Sequence, residues 1–466
     1  MAKYDRSLIE GPLRPAVWKL AWPTIITSMF GGLQGIVDHV MVGHFVGFTG
    51  NAAIGVSWNI FVLVIVFISS LFTGMSVLVA RFTGAGDHDK VNRTVYQAFL
   101  VAIGISLGIM APLGYVLSPY LIAFITQSAE VRAEALPFLR IMFVFSSGMM
   151  IFFMLGGALR AAGDARTPMV LGVTTTVLNI VLNVILIRGL GPIPRFGTAG
   201  AAMGTAIAFG LVALYSLYRL LRGGWVVQFP RHHGFAPDWE IIRALFRFGL
   251  PTGFQGIAMN FGGVFLQRFV GFVPNGAQAQ AAYAVSYSEL FSLVTWTSQG
   301  LLGATAAIAG QNLGAKQPER AREAVHTAAR IGLAGAGALG LAYFFIPRQL
   351  LAVFGFNDPI VVGYGVHLLR VLSISGLFVT VALTYTGGLQ GTGDTKSPFF
   401  ISVISQVIIP LGICVSLWLM GLLQANYIWY AILAGHVTRC ALSMLRFRQG
   451  KWREITVDIA RDTQPA

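Results

Sequence analysis

Charge is scarce in this 466-residue chain: only 11% of its residues are Asp, Glu, Lys or Arg, against about 25% in soluble domains. A water-facing surface needs more than that, so a soluble globular fold is excluded. Acid is scarcer than base, with 18 Asp and Glu against 32 Lys and Arg, a formal net charge of +14. The surplus sits in loops between apolar runs, which is the positive-inside distribution rather than a nucleic-acid surface, so no nucleic-acid partner is expected. Cysteine is nearly absent: Cys414 and Cys440 both lie in apolar runs with no metal or C-x-x-C spacing, so a disulfide framework is excluded. There is no D-D-x-x-D cluster for Mg²⁺, and the neighbours Asp38 and His39 cannot converge on one helical face. Membrane-embedded transferase chemistry is excluded with them, so no catalytic residue and no cofactor beyond a coupling ion is expected. The first apolar run lacks a small-residue cleavage site and reads as a span rather than a signal peptide.

What is present is apolar length. Hydrophobic residues make up 55% of the chain, mean hydropathy is +0.72 and glycine reaches 55 residues, a composition suited to closely packed membrane helices. Runs long enough to cross a bilayer occur at 16–45, 52–80, 93–117, 133–160, 168–190, 198–221, 243–272, 280–309, 323–346, 358–388, 397–420 and 427–447. The fold class is therefore an all-α polytopic membrane protein with twelve transmembrane helices. Loops after even-numbered spans hold most of the basic residues, among them Arg81, Lys90, Arg166, Arg222, Arg243, Lys316 and Lys396, and the termini add Lys3, Arg6, Lys451 and Arg453. The opposite loops hold few, chiefly Arg132, Arg188, Arg195 and Arg348. Both termini are thus expected in the cytoplasm.

The two halves repeat. Gly163, Asp164 and Pro168 (RAAGDARTP) recur 230 residues later as Gly393, Asp394 and Pro398 (QGTGDTKSP), and the same offset carries Gly84-Ala85 onto Gly314-Ala315 and Arg140 onto Arg370. Pro23 pairs with Pro251 at an offset of 228, and Phe45-Val46-Gly47-Phe48 recurs as Phe269-Val270-Gly271-Phe272. This divides the chain into an N-terminal six-helix lobe (1–221), a linker (222–242) and a C-terminal six-helix lobe (243–466), two pseudo-symmetric bundles of the kind found in secondary transporters, with the site between halves. His232 and His233 fall in the linker and read as solvated loop residues rather than metal ligands. The repeated G-D-x-x-x-P segments read as turns first, with Gly163 ending one helix in a left-handed cap and Thr167, like Ser397 in the second half, capping the next.

One carboxylate, Asp38, lies inside the first span, WKLAWPTIITSMFGGLQGIVDHVMVGHF. An aspartate near a span's centre costs about 2.5–3.5 kcal/mol on insertion scales, which makes it a candidate ion or proton switch; the structural alternative is an acid paired with a hydroxyl or amide. Gln34 shares its face one turn earlier, Pro23 is expected to kink the helix, and Gly31, Gly32 and Gly35 leave room for a neighbour. His39, rotated about 100° from Asp38, is expected to face elsewhere. In the fifth span Asn179 and Asn183 stand four apart on the face of Thr176, either as site residues or as interhelical amide glue. Glu289 is the one acid well inside a C-half span, either a second cation site or part of a local network.

Together, the two six-span halves, an aspartate ahead of Met41-Val42-Gly43, R-x-T-G-A-G-D after the second span and the L-R-A-A-G-D and L-Q-G-T-G-D pair resemble the MATE (multidrug and toxic compound extrusion) family over essentially the whole chain. The resemblance implies ion-coupled export of small organic molecules, cationic or amphiphilic, from the inner membrane of a prokaryote by a monomer that rocks between inward- and outward-open states. It implies that Asp38, Asn179 and Asn183 couple the ion, H⁺ or Na⁺. It also implies a substrate path that draws on Gln34, Asp38, Thr176, Asn179, Asn183 and Thr205 in the first half and Gln255, Asn260, Glu289 and Tyr385 in the second. The sequence departs from the family at informative places. One branch carries a second acid where Asn183 stands, and another carries acids in its seventh and tenth spans, where this chain has Gln255, Asn260, Gln267, Thr384 and Tyr385. Without a second N-half carboxylate the balance tilts toward H⁺. The alternative within the superfamily is a flippase for lipid-linked saccharides or similar lipids, expected to carry several cations in its cavity. Here the embedded basic residues, Arg140, Arg268, Arg370 and Arg439, are few and are expected near span ends. The G-x-x-x-D-R-x-G-R-R pattern of major-facilitator transporters is absent after the second span.

Overall fold

The structure, a computed structural model, describes residues 6–229, 236–356 and 358–457. Among these residues the regular elements are helices and no strand occurs. Twelve helical rods match the twelve expected spans. In the first half they are Leu13–Phe45, Phe48–Ala85, His88–Ile125, the pair Ala129–Val144 and Ser146–Ala161, Arg166–Arg188 and Gly197–Leu221. In the second half they are Trp239–Gly271, the stack 276–314, Pro318–Phe345, Pro359–Thr392, Lys396–Leu419 and Ala425–Arg448. Nine of the described helices are long and apolar enough to cross a membrane alone, and the pair bent by 52° at Phe145 makes ten. The seventh and eighth rods are as long but carry more polar residues, Gln255, Asn260, Gln267 and Glu289 among them.

By contacts the chain divides into two units whose borders fall inside helices. One holds Met29–Gly253, and the other holds Arg6–Ser28 with Phe254–Thr456. The first helix changes unit after Ser28, five residues past Pro23, and the seventh after Gly253, two residues past Pro251; the two prolines correspond in the repeat. A proline inside a helix removes one backbone hydrogen bond and weakens the rod there. The first helix nonetheless runs unbroken through Pro23, and the Thr24 and Thr27 hydroxyls donate to the carbonyls of Leu20 and Pro23 (2.6 and 2.8 Å).

The repeat is legible in the backbone as well as in the letters. Gly163 and Gly393 both adopt φ near +100°, a conformation that suits glycine at a helix end. At the other repeated turn Gly86 takes φ +76° and its counterpart 230 residues on, Lys316, takes φ +59°. The cap after Gly163 differs from expectation. Asp164, not Thr167, supplies the carboxylate that accepts from the Thr167 amide (3.0 Å) and hydroxyl (2.5 Å), and Asp394 does the same for Ser397 (3.1 and 2.9 Å). A carboxylate is the better partner for the partial positive charge of a helix start. In the second half Asp394 also receives the Arg446 guanidinium at 2.8 Å, which ties the turn to the last helix.

The described part of the linker is strapped down. Asn92 accepts from the Gln228 amide (2.9 Å), Gln97 bridges Ala236 and Asp238 (3.0 and 3.1 Å), and Arg93 pairs with Asp238 (2.8 Å). His232 and His233 lie outside the described residues. In the other unit, a short N-terminal helix, Ser7–Glu10, is anchored by Asn312, which donates to the Leu8 carbonyl (3.2 Å), and by Arg320, which donates to the Gly11 carbonyl.

Candidate functional site

The first, fifth and sixth helices build a polar cluster in the unit that holds Met29–Gly253. Asn179 and Asn183 follow one another by a helical turn and are fully buried. Such a ladder in a span must find partners, because an unpaired amide in an apolar surround costs about 1–3 kcal/mol. Asn183 finds Asp38: its Nδ2 donates to Asp38 Oδ1 at 2.6 Å across 145 residues of sequence. Its other neighbour is Gly204 on the sixth helix, where a Cβ would collide with Asn183 Oδ1. The missing side chain at Gly204 is thus what lets the amide stand at this position. The Asn179 amide, oriented by its hydrogen bonds, accepts from the Thr205 hydroxyl and backbone N–H (3.0 and 3.2 Å) and donates to the same Asp38 Oδ1 at 3.1 Å.

Two features of the cluster bear on its chemistry. Two amides converge on one carboxylate oxygen while Asp38 Oδ2 makes no hydrogen bond among the described residues. Asn183 Oδ1, in turn, is buried with no donor. The cluster therefore offers an unengaged carboxylate oxygen and an unengaged amide oxygen around a partly buried acid. Oxygen donors of this kind suit a hard monovalent cation or a proton. No second acid touches Asp38 among the described residues.

The other expected residues are placed unevenly. Thr176 is buried one turn from Asn179, but its hydroxyl donates back to the Gly172 carbonyl (3.1 Å). Gln34 is partly buried and makes no side-chain hydrogen bond among the described residues. His39 turns away from the cluster, as its angular offset requires, and pairs with Asn51 of the second helix (2.5 Å). In the second half the four expected residues do not meet. Gln255 is buried and bridges Ser402 and Gln390 (2.7 and 3.3 Å). Asn260 is exposed and bonds its own helix at Gly256, and Glu289 is exposed on a π-helical turn, Ala284–Leu290. Tyr385 is buried against Phe447, and its hydroxyl lies 3.3 Å from His326 Nδ1.

The second half holds a cluster that residue-by-residue reading missed. Trp429, His436, Arg439 and Ser443 form one buried face of the last helix. His436 stacks on Phe291 (5.8 Å), and Trp429 stacks on Tyr283, itself stacked on Tyr287. Arg439, expected near a span end, lies in the interior at 4% exposure with no carboxylate partner among the described residues, and its Nε is unpaired. The 3–4 spacing of these residues was the available signal; the tally of embedded cations as span-end residues hid it.

Comparison with known proteins follows the same lines. The MatE family model matches residues 23–185 and again 251–415, once per half. Relatives include the probable multidrug resistance protein NorM of Thermotoga maritima, 26% identical over 96% of this chain and 94% of that protein. The multidrug resistance protein MdtK of Pectobacterium atrosepticum is 27% identical over 84% of this chain and 85% of that protein. Among solved structures, an outward-facing multidrug resistance MATE family transporter superposes with a TM-score of 0.89 at 21% identity, covering 98% of this chain and 100% of that one. A MOP superfamily transporter of Pyrococcus furiosus, reported with a binding pocket of reverse polarity, superposes equally well over the same shares. With the family pattern present twice, the twelve-helix fold of those structures and relatives along nearly its whole length, this chain belongs to the MATE family of multi-pass membrane transporters.

Proposed function

We propose that the protein is an ion-coupled antiporter that exports organic cationic or amphiphilic compounds by alternating access, with Asp38 as the coupling group. The observation that carries this is the Asp38–Asn183–Asn179–Thr205 cluster, a span-interior acid held by two amides with one oxygen left open. Relatives named as multidrug resistance proteins support export of small organic compounds. A proton is the favoured ion, because the site has a single carboxylate. Protonation at the open Oδ2 leaves Oδ1 an acceptor but removes the charge that strengthens the Asn183 and Asn179 hydrogen bonds to it. The new O–H is a donor where the carboxylate had none, and the tie between the first and fifth helices weakens as the charge is lost. Purified protein in liposomes should accumulate or expel a cationic dye under an imposed pH gradient. Transport that responds to a Na⁺ gradient alone would assign the ion to Na⁺, and transport that responds to neither would reject the proposal.

Asn183→Asp tests the ion site directly. A second carboxylate within hydrogen-bond reach of the first raises the negative charge of the pocket and should increase Na⁺ dependence of transport severalfold. Unchanged Na⁺ dependence would remove Asn183 from the ion site.

The proposed orientation puts both termini and the linker in the cytoplasm, in the inner membrane of a prokaryote, with the single chain as the working unit. Lys3→Cys, His232→Cys and Lys451→Cys should all resist an impermeant thiol reagent applied to intact cells and react after lysis. Labelling of position 232 from outside would overturn the orientation.

A further inference from the structure

Three polar side chains follow one another on a single buried face of the last helix, Ala425–Arg448, in the unit that holds Arg6–Ser28 with Phe254–Thr456. His436, Arg439 and Ser443 are exposed by only 3%, 4% and 0%. Each leaves a buried polar atom without a partner: His436 Nδ1, Arg439 Nε and Ser443 Oγ. An arginine here is costly, because a buried charge needs a counter-charge or a full set of acceptors. Neither a carboxylate nor a carbonyl meets its guanidinium among the described residues. The repeated fold does not demand it either. The residue 230 positions earlier is Phe209, and at the offset of 228 it is Leu211, both apolar.

The eighth rod fixes what stands beside this cation. Tyr283, Tyr287 and Phe291 are spaced four apart across its π-helical turn, and their rings stack in that order at 5.0 and 5.5 Å. Trp429 stacks on Tyr283 (5.9 Å) and His436 on Phe291 (5.8 Å), so the last helix closes both ends of one aromatic column. Tyr287 is thus held by a ring on either side. Its hydroxyl lies close enough for the Arg439 charge to act on it, and among the described residues it is neither hydrogen-bonded nor sealed from solvent. The same holds for the two terminal nitrogens of Arg439, since Nε alone is sealed. A planar fork of N–H donors and one O–H donor therefore stand together on a rigid support, and no protein acceptor engages them.

We propose that Arg439 and Tyr287 form an anion-binding site that takes a single carboxylate or sulfonate group of an organic ligand, a site beyond those of the export proposal. The guanidinium fork matches two oxygens of such a group at once, and the Tyr287 O–H donates to one of them. One guanidinium matches one negative charge. A phosphate or pyrophosphate would bring more charge than the site compensates, so this is not the cation-rich cavity expected of a flippase for lipid-linked saccharides. A chloride ion would match the charge but leave the fork half used. The surroundings are aromatic, with Tyr287 and Phe291 packed on the apolar core of this unit, and they suit a ligand whose body is a hydrocarbon or an aromatic ring.

The test uses the full chain in detergent, in a buffer free of carboxylates and sulfonates. Naphthoate is the probe, with its uncharged amide, naphthamide, and sodium chloride as controls, read by titration calorimetry and by the shift in melting temperature. Naphthoate should bind at least about tenfold more tightly than naphthamide, the worth of a charge-assisted hydrogen bond. Arg439→Gln should bring naphthoate down to the naphthamide level. Tyr287→Phe keeps the ring in its column and removes only the hydroxyl, so it should fold as wild type and bind naphthoate severalfold more weakly; it decides the matter should Arg439→Gln misfold. Equal binding of naphthoate and naphthamide by the wild type would overturn the proposal, as would undiminished naphthoate binding in Tyr287→Phe or in folded Arg439→Gln. Stabilisation by chloride equal to that by naphthoate would assign the site to an inorganic anion and overturn it too. The assay needs no transport, so its failure and that of the export proposal are separate results.

Discussion

Asp38→Asn is expected to yield a folded, membrane-inserted protein that does not export. The substitution keeps the shape of the side chain, and an amide at position 38 still offers an oxygen to Asn183 and Asn179. Charge-assisted hydrogen bonds are weakened, a loss of about 1–2 kcal/mol, but a costly span-interior charge is removed at the same time, so stability should change little. Coupling is another matter. A proton crossing one pH unit contributes about 1.36 kcal/mol, and a unit charge crossing 100 mV adds about 2.3 kcal/mol. For one proton exchanged against one monovalent cation the voltage cancels, and the pH unit alone sustains a roughly tenfold cation gradient. For a neutral substrate both contributions act, and the limit rises to several hundredfold. An amide at position 38 has no proton to exchange at any physiological pH, so both ratios should collapse to about one. Dye efflux in cells and pH-gradient-driven uptake in inverted vesicles should be lost together, with protein level and melting temperature near wild type. Near-wild-type export by well-folded Asp38→Asn protein would make this carboxylate structural and move coupling elsewhere.

Much of this is legible in the sequence, for a physical reason. In a bilayer an apolar run of the right length has few alternatives to a spanning helix, so the twelve rods and most of their ends followed from composition. Polar residues inside such runs stand out against their background, which is why Asp38, Asn179 and Asn183 could be picked out; Thr205 came from the resemblance to the MATE family, and the four are found together. The second half resisted the same reading. Gln255, Asn260, Glu289 and Tyr385 are as conspicuous in the letters, yet they point to different surroundings, because which face of a helix is buried depends on its neighbours and not on its own sequence. Among the described residues three rods also contain a π-helical turn, Ser106–Met110, Ala284–Leu290 and Val403–Ile408. Each shifts the facing of every residue beyond it relative to a regular helix. Glu289 sits inside one of them, so a helical wheel drawn through the eighth span misassigns its face. The turn chemistry failed in a smaller way: both Asp164 and Thr167 are good caps, and only the geometry shows that the carboxylate takes the role.

The glycine content makes the second large prediction, a loss of fold rather than of coupling. Gly387 and Gly391 stand one turn apart on the tenth helix, and a Cβ at either would collide with a backbone carbonyl of the eighth, that of Leu302 for Gly387 and that of Ala306 for Gly391. Leu302 and Ala306 are themselves one turn apart, so two helices meet backbone to backbone over two successive turns, the small-xxx-small arrangement that gives membrane helices their contact. Further along the same seam, Ser298 and Thr380 share a hydrogen bond of 2.8 Å. Carbonyl oxygens cannot swing aside as a side chain can, so relief requires the helices to separate, and separation breaks that hydrogen bond and opens voids along the seam. Overpacking a tight core costs about 1–3 kcal/mol, and losing the packing around it adds to that. Gly391→Ala should therefore lower the melting temperature measurably, and Gly391→Val should leave little monodisperse protein. Gly337→Val on the ninth helix, where an added Cβ meets nothing within 4 Å, is the matched control and should behave as wild type. Yield after size-exclusion chromatography and the melting temperature would separate the three. A Gly391→Val protein that expresses and melts like the Gly337→Val control would show that the eighth and tenth helices do not depend on this contact.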